Sequence, residues 1–204
     1  MASLVKKCVV IRADASIEIG AGHIARSLAL AKRLKDDGAT VIFIVRSNKG
    51  DMVSFIQEQG FQVKILLHHK LQVNSSCLSG YHKWLGVTQE EDAKETTLAI
   101  RDMRVSWLVV DHYAIDERWE SLLRPYVDKI MVVDDLANRR HDCDLLLDQN
   151  YRQEYTVYDQ LIPVTSLRYL GPQFTLLREE FSSESIELRQ RPDFPKRIFI
   201  FFGG

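Results

Sequence analysis

Short β-branched runs that alternate with helical stretches and end in polar residues constrain this chain most. Residues 5–12 (VKKCVVIR) read as a buried strand. They run through Ala13-Asp14-Ala15-Ser16 and Gly20-Ala21-Gly22-His23 into a helix that reaches about Asp37. Ile24, Leu28, Ala31 and Leu34 recur at helical spacing and form its buried face. Gly38 is placed to end it as a C′ glycine. A strand over 41–46, a helix over 51–59 stopped by Gly60, and a strand over 63–67 follow. Residues 68–85 are irregular and polar. The pattern then resumes with a helix over 89–103, a strand over 107–110, and a helix over 117–123 that stops before Pro125. Strands over 129–133 and 145–147 complete it. Near-continuous apolar strands between helices predict an α/β fold, a Rossmann-like parallel sheet covered on both faces.

The chain has 204 residues, one large domain or one and a half at about 150 residues per domain. With 46% apolar and 27% charged residues, intrinsic disorder is excluded as the main state. Basic and acidic residues nearly balance, 27 against 28, for a net charge of −1. Such a chain has no electrostatic footprint for duplex nucleic acid or an anionic membrane. Its longest apolar runs, 41–45 and 198–202, fall far short of the roughly 20 residues of a membrane span. Neither nucleic acid nor membrane is an expected partner. Cys8, Cys77 and Cys143 are widely spaced and none lies in a CxxC pair. That disfavours a disulfide framework or a structural zinc and fits a reducing cytoplasm. Lys6 and Lys7 lead into a strand-like run rather than the longer apolar core of a signal peptide, so a cytoplasmic location is expected.

Residues 182–197 are polar, contain Pro192 and Pro195, and read as a linker. Residues 198–204 then read as a strand ended by Gly203-Gly204, the way a fresh βα unit opens. The expected organisation is a domain over 1–181, a linker over 182–197, and the first strand of a second domain over 198–204.

In open parallel sheets the ligand sits beyond the carboxyl ends of the strands. Polar residues gather there: Arg12-x-Asp14, Asp111-His112-Tyr113, Asp134-Asp135 and Asp148-Gln149-Asn150. Each acidic residue alone fits a helix cap; together they mark a functional edge. Gly20-x-Gly22 before a helix suggests backbone amides closely approached by a ligand. A dinucleotide fingerprint is disfavoured, because Ala25 stands at the third glycine and the second strand ends in Arg46. No P-loop is present. His68, His69 and His82 lack helical i,i+4 spacing and a nearby carboxylate, so no metal site is expected, and no cofactor is called for. His23 falls in the first helical turn, where the dipole disfavours imidazolium. A neutral imidazole there can act as a general base. The competing reading is a helix N-terminal histidine making a local hydrogen bond.

Several ordered blocks carry a resemblance. Asp14-x-Ser16 is followed by Ile19-Gly20-Ala21-Gly22-His23-x-x-Arg26-Ser27-Leu28. Val110-Asp111-His112-Tyr113 comes with Trp119-Glu120, then Asp134-Asp135-Leu136-Ala137-Asn138-Arg139. His141-x-Cys143-Asp144 runs on to Asp148-Gln149-Asn150, and Gly171-Pro172 leads to Leu176-Leu177-Arg178-x-Glu180-Phe181. This series resembles the UDP-2,4-diacetamido-2,4,6-trideoxy-β-L-altropyranose hydrolase family of the pseudaminic acid pathway, and the similar spore-coat polysaccharide biosynthesis proteins. It is weakest over 62–89.

The resemblance implies the N-terminal half of a GT-B-like fold, two Rossmann-like domains facing across a cleft. It implies a UDP-amino sugar as substrate, hydrolysed at the anomeric carbon with inversion. The motif histidine maps onto His23 as general base. Asp14, Gly20, Gly22, Arg26, His112, Tyr113, Asn150 and Arg178 become the candidate substrate-binding residues. Ser27 stands where many members have Cys, at a position read as packing. Two other functions compete: a GT-B glycosyltransferase passing the sugar to an acceptor, and a non-catalytic interaction module with 67–84 as a partner loop.

Overall fold

The computed structural model describes residues 7–67, 80–154 and 156–181. The linker and strand expected over 182–204 lie outside the described residues, as do His68, His69 and Cys77.

The expected parallel sheet is present. Its strands are β1 (Cys8–Ala13), β2 (Thr40–Arg46), β3 (Gln62–Leu66), β4 (Trp107–Asp111), β5 (Ile130–Val133), β6 (Leu145–Asp148) and β7 (Leu167–Leu170). The order is β3-β2-β1-β4-β5-β6-β7, and every pairing is parallel. β7 escapes a reading based on apolar runs. It lies at the edge of the sheet among the described residues, with Leu167 and Tyr169 exposed and Arg168 between them.

Among the described residues the α-helices are α1 (Gly22–Asp36), α2 (Val53–Glu58), α3 (Gln89–Ile100) and α4 (Glu117–Leu123). α1 ends where Gly38 takes φ 89°, a conformation that costs other residues energy. α3 stops short of the expected 103, because Met103 N–H turns back to the Ile100 carbonyl. The Thr88 hydroxyl caps α3 by accepting from Glu91 N–H, and Glu90, Glu91 and Asp92 fill its first turn. The Asp116 carboxylate caps α4 in the same way. α1 has neither device: no side chain caps it, and its first turn holds no acidic residue.

The helices cover both faces. Ile24, Leu28 and Ala31 of α1 and Ile56 of α2 pack on Val9, Ile11, Phe43 and Val109. Ala93 and Ile100 of α3, with Trp119 and Leu123 of α4, pack on Val10, Ile44, Leu108 and Val110. Successive strand residues thus alternate between the two cores, as the pleat requires. The chain leaves β1 for β2 and β3 on one side, then crosses back to place β4 on the other. The carboxyl ends of β1 and β4 therefore flank the point where strand order reverses, the position at which such sheets bind ligands.

Candidate active site

A cleft of about 430 Å³ opens at that switch point. It is lined by the N-terminus of α1 (Gly22, His23, Ala25, Arg26), by Trp84 and Tyr113, and by Gln149 and the 176–178 segment.

His23 is its buried centre, with a side chain only 7% exposed. Its Nδ1 lies 2.6 Å from Oδ1 of Asp111, the last residue of β4. Asp111 is fully buried and also receives Arg26 as a two-point clamp. Arg26 Nε donates to Oδ2 at 2.7 Å and Nη2 donates to Oδ1 at 2.6 Å. Ser27, read as packing, adds an Oγ–H donated to Asp111 Oδ2 at 3.3 Å. Burial alone would raise the Asp111 pKa. The hydrogen bonds from Arg26 and from the His23 ring instead hold it at about 2. An ionised acceptor at Nδ1 means that the neutral ring carries its proton there, leaving Nε2 as the acceptor. Tyr113 meets the His23 ring edge-on, with centroids 4.6 Å apart.

Arg26 is thus a structural cation as well as a cleft residue. Its Nη1 also donates to Asp135 at 3.1 Å. The Tyr113 phenol faces the same Asp135 carboxylate. Burial first, then Asp135, push it well above its ordinary range, so it stays protonated. The Tyr113 ring lines the cleft.

The other candidates divide. Gly22 and Arg178 line the cleft; Arg178 is exposed and lies over the Phe181 ring at 5.1 Å. Gly20 is not among the lining residues; it takes φ 77° and its N–H bonds the Ser16 carbonyl. Asp14, His112 and Asn150 do not line the cleft. Asp14 is fully buried between Arg12, at 2.5 Å, and the backbone N–H of Arg46, at 2.7 Å. His112 accepts from Ala114 N–H through Nδ1, which turns Nε2 to within 3.3 Å of Asp14. Burial lowers its pKa, so it is a neutral core histidine. Both belong to a buried ion cluster in which Asp92 bridges Arg12 and Arg46 and accepts from Trp119 Nε1 at 2.9 Å. Asn150 is exposed, and its backbone N–H bonds Asp148.

Pleat alternation explains the division. Val109 faces the α1 core and Val110 the α3 core, so Asp111 turns to His23 and His112 turns away. By the same alternation Asp135 reaches Arg26, while Asp134 contacts the Tyr158 hydroxyl at 3.2 Å on the far side. Gln149 reaches the cleft and its Oε1 accepts from Leu176 N–H, whereas Asp148 accepts from Tyr158. Asp111, Asp135 and Gln149 were each visible in the polar strand ends. Counting parity from the apolar strand residues was the signal that picks them out. Trp84 had no such signal, because it lies in the stretch with no clear period.

Among the described residues, no group of three or more His, Cys, Asp or Glu side chains is arranged to hold a metal ion. No helix among them is long and apolar enough to cross a membrane.

No protein-family model matches the chain. Over 198 residues, 96% of its length, it is 29% identical to the UDP-2,4-diacetamido-2,4,6-trideoxy-β-L-altropyranose hydrolase of Campylobacter jejuni. It is 24% identical over 208 residues to an uncharacterized protein of Methanocaldococcus jannaschii. The chain spans 60% of the length of the first and 36% of the second. It is thus moderately similar to a UDP-sugar hydrolase over nearly all of its own length.

Proposed function

We propose that this chain carries the base-bearing domain of a hydrolase that releases UDP from an activated amino sugar. The observation that carries the reading is the His23–Asp111 pair at the cleft, with Nδ1 held by a buried, ionised carboxylate. Nε2 takes a proton from water as the water oxygen bonds to the anomeric carbon. The bond from that carbon to the diphosphate oxygen breaks, and its electron pair leaves with UDP. Asp111 stabilises the imidazolium as it forms, and the proton passes to solvent afterwards. UDP is already a good leaving group, so no strong general acid is required. One base acting on water from the face opposite UDP gives inversion.

Anion binding has support of its own. The N-terminus of α1 is uncapped, has no acidic residue in its first turn, and opens on the cleft beside Arg178. In this reading the domain is the sugar-side half of a GT-B-like pair. The reaction belongs to pseudaminic acid or spore-coat polysaccharide biosynthesis in the cytoplasm, where nucleotide-activated sugars are made and used.

The test is turnover of UDP-2,4-diacetamido-2,4,6-trideoxy-β-L-altropyranose by the full-length protein in oxygen-18 water. The expected products are unlabelled UDP and a free sugar labelled at the inverted anomeric carbon. Label in UDP would mean attack at phosphorus. Transfer to an added acceptor with no free sugar would mean a glycosyltransferase. Either result overturns the reading.

A further inference from the structure

One wall of the cleft has no part in the chemistry above. It comes from the 3₁₀ segment Gly80–Leu85, within the stretch where the family resemblance is weakest. This segment stacks Trp84 on Tyr113, with rings 25° from parallel and centroids 5.8 Å apart. Tyr81 stands edge-on to both, at 4.7 Å from Trp84 and 5.1 Å from Tyr113. His23 lies edge-on to Trp84 at 6.3 Å. Trp84 and Tyr113 line the cleft, and Tyr81 touches both rings from outside the lining.

The charged group beside this wall is already committed: Arg26 serves Asp111 and Asp135. Next to His23 the cleft presents the rings of Trp84 and Tyr113, the Tyr113 phenol beside Asp135. A ligand edge dense in hydroxyls would lose more water there than these rings repay. The C–H face of a pyranose ring suits it: weakly positive hydrogens meet the negative faces of the rings, and apolar area leaves water.

The geometry assigns Trp84, stacked on Tyr113, as a sugar-binding residue: it receives the C–H face of the pyranose and sets the anomeric carbon against the water at His23. Tyr81 is a positioning residue that acts through Trp84. The assignment rests on the hydrolase reading, and its test separates the two.

Trp84→Ala and Trp84→Phe are compared with wild type for KM and kcat on the same UDP-sugar, for inhibition by UDP, and for the pH profile of kcat. Trp84→Ala should raise KM about tenfold, the scale of a lost aromatic contact and its buried area. Trp84→Phe should recover most of that loss. UDP should inhibit all three proteins equally, because it carries no sugar. The pH limb of kcat should stay in place, because the His23–Asp111 pair is untouched. Tyr81→Ala should raise KM in the wild-type background and add nothing in Trp84→Ala. Wild type that releases no sugar overturns the hydrolase reading and this assignment with it. Active wild type with an unchanged KM in Trp84→Ala overturns the assignment alone. UDP inhibition weakened by the same factor as KM does so too.

Discussion

Asp111 Oδ1 lies 2.6 Å from His23 Nδ1, joining the end of β4 to the start of α1 across the reversal of strand order. The carboxylate selects which ring nitrogen is left to accept a proton. Asp111→Asn keeps the shape and removes that selection, since an amide can present N–H to the ring and favour the opposite tautomer. It is predicted to lower kcat by about 10²–10⁴-fold, with little change in KM. Steady-state kinetics on the full-length protein check this. An Asp111→Asn variant with normal kcat would leave the pair a purely structural contact.

His23→Ala and His23→Asn should lose turnover on the same scale, about 10²–10⁴-fold. Both should remain folded, because a helix N-terminus tolerates Asn. The double variant with Asp111→Asn should be scarcely worse than either alone, because groups that act as one unit are not additive. Multiplying losses in the double variant would show two independent contributions. A melting curve beside each kcat separates lost chemistry from lost fold.

Most of the fold was legible because its strands announce themselves. Residues such as Val41, Ile42, Phe43, Ile44 and Val45 are buried on both faces, so no polar alternation blurs the run. β7 was not legible, because part of its surface faces water. Within the site, His23 was legible from its place after the glycines and from the family motif. Asp14 and His112 were equally polar and equally near, yet the pleat sends them into the core. There, partners distant in sequence decide their roles: Asp92 lies 80 residues beyond Arg12. Trp84 could not be read at all, because a 3₁₀ segment in an aperiodic stretch fixes its position only through tertiary contacts.

The buried ion cluster makes Asp92 a point of fragility. It carries Arg12 at 2.8 Å and Arg46 at 2.7 Å, all three side chains shut off from solvent. Asp92→Ala leaves two buried guanidinium groups short of a counter-charge. The expected loss is about 3–5 kcal/mol of folding stability, the scale for breaking a buried pair from one side. Chemical denaturation should show it. A loss below about 1 kcal/mol would mean that Asp14 and Glu95 compensate fully.

Acid should unfold the protein through its buried carboxylates. The Asp111 pKa falls from an ordinary 3.8 to about 2 on folding, and Asp14, Asp92 and Asp134 are shifted in the same direction. A carboxylate with a depressed folded pKa contributes stability above its unfolded pKa and loses it as pH falls through the folded value. For Asp111 that amounts to about 2 kcal/mol, lost between about pH 4 and pH 2. Melting temperature should therefore begin to fall below about pH 6.5, where unfolding lets the buried neutral His112 take up a proton, and drop steeply below about pH 4 as the carboxylates protonate. Asp111→Asn should start lower and show a shallower acid slope. A wild-type melting temperature that is flat from pH 5 to pH 2 would contradict the ionised state assigned to these groups.

Gly22 offers a test in which stability and function move in opposite directions. It opens α1, its φ lies outside the left-handed region, and a Cβ built on it meets no described atom within 4 Å. The fold therefore does not demand glycine here. Alanine in a helix is favoured over glycine by about 0.5–1 kcal/mol, less at the first turn. Gly22→Ala should match or exceed the wild-type melting temperature, by up to about 3 °C. The same methyl would project at the uncapped α1 terminus, where the proposed reaction brings the anionic leaving group against backbone N–H groups. KM for the UDP-sugar should rise severalfold, with the pH profile of kcat unchanged. A destabilised variant would show that glycine serves the fold after all. A stable variant with wild-type KM would show that no ligand approaches this backbone closely, and would remove the α1 terminus from the binding site.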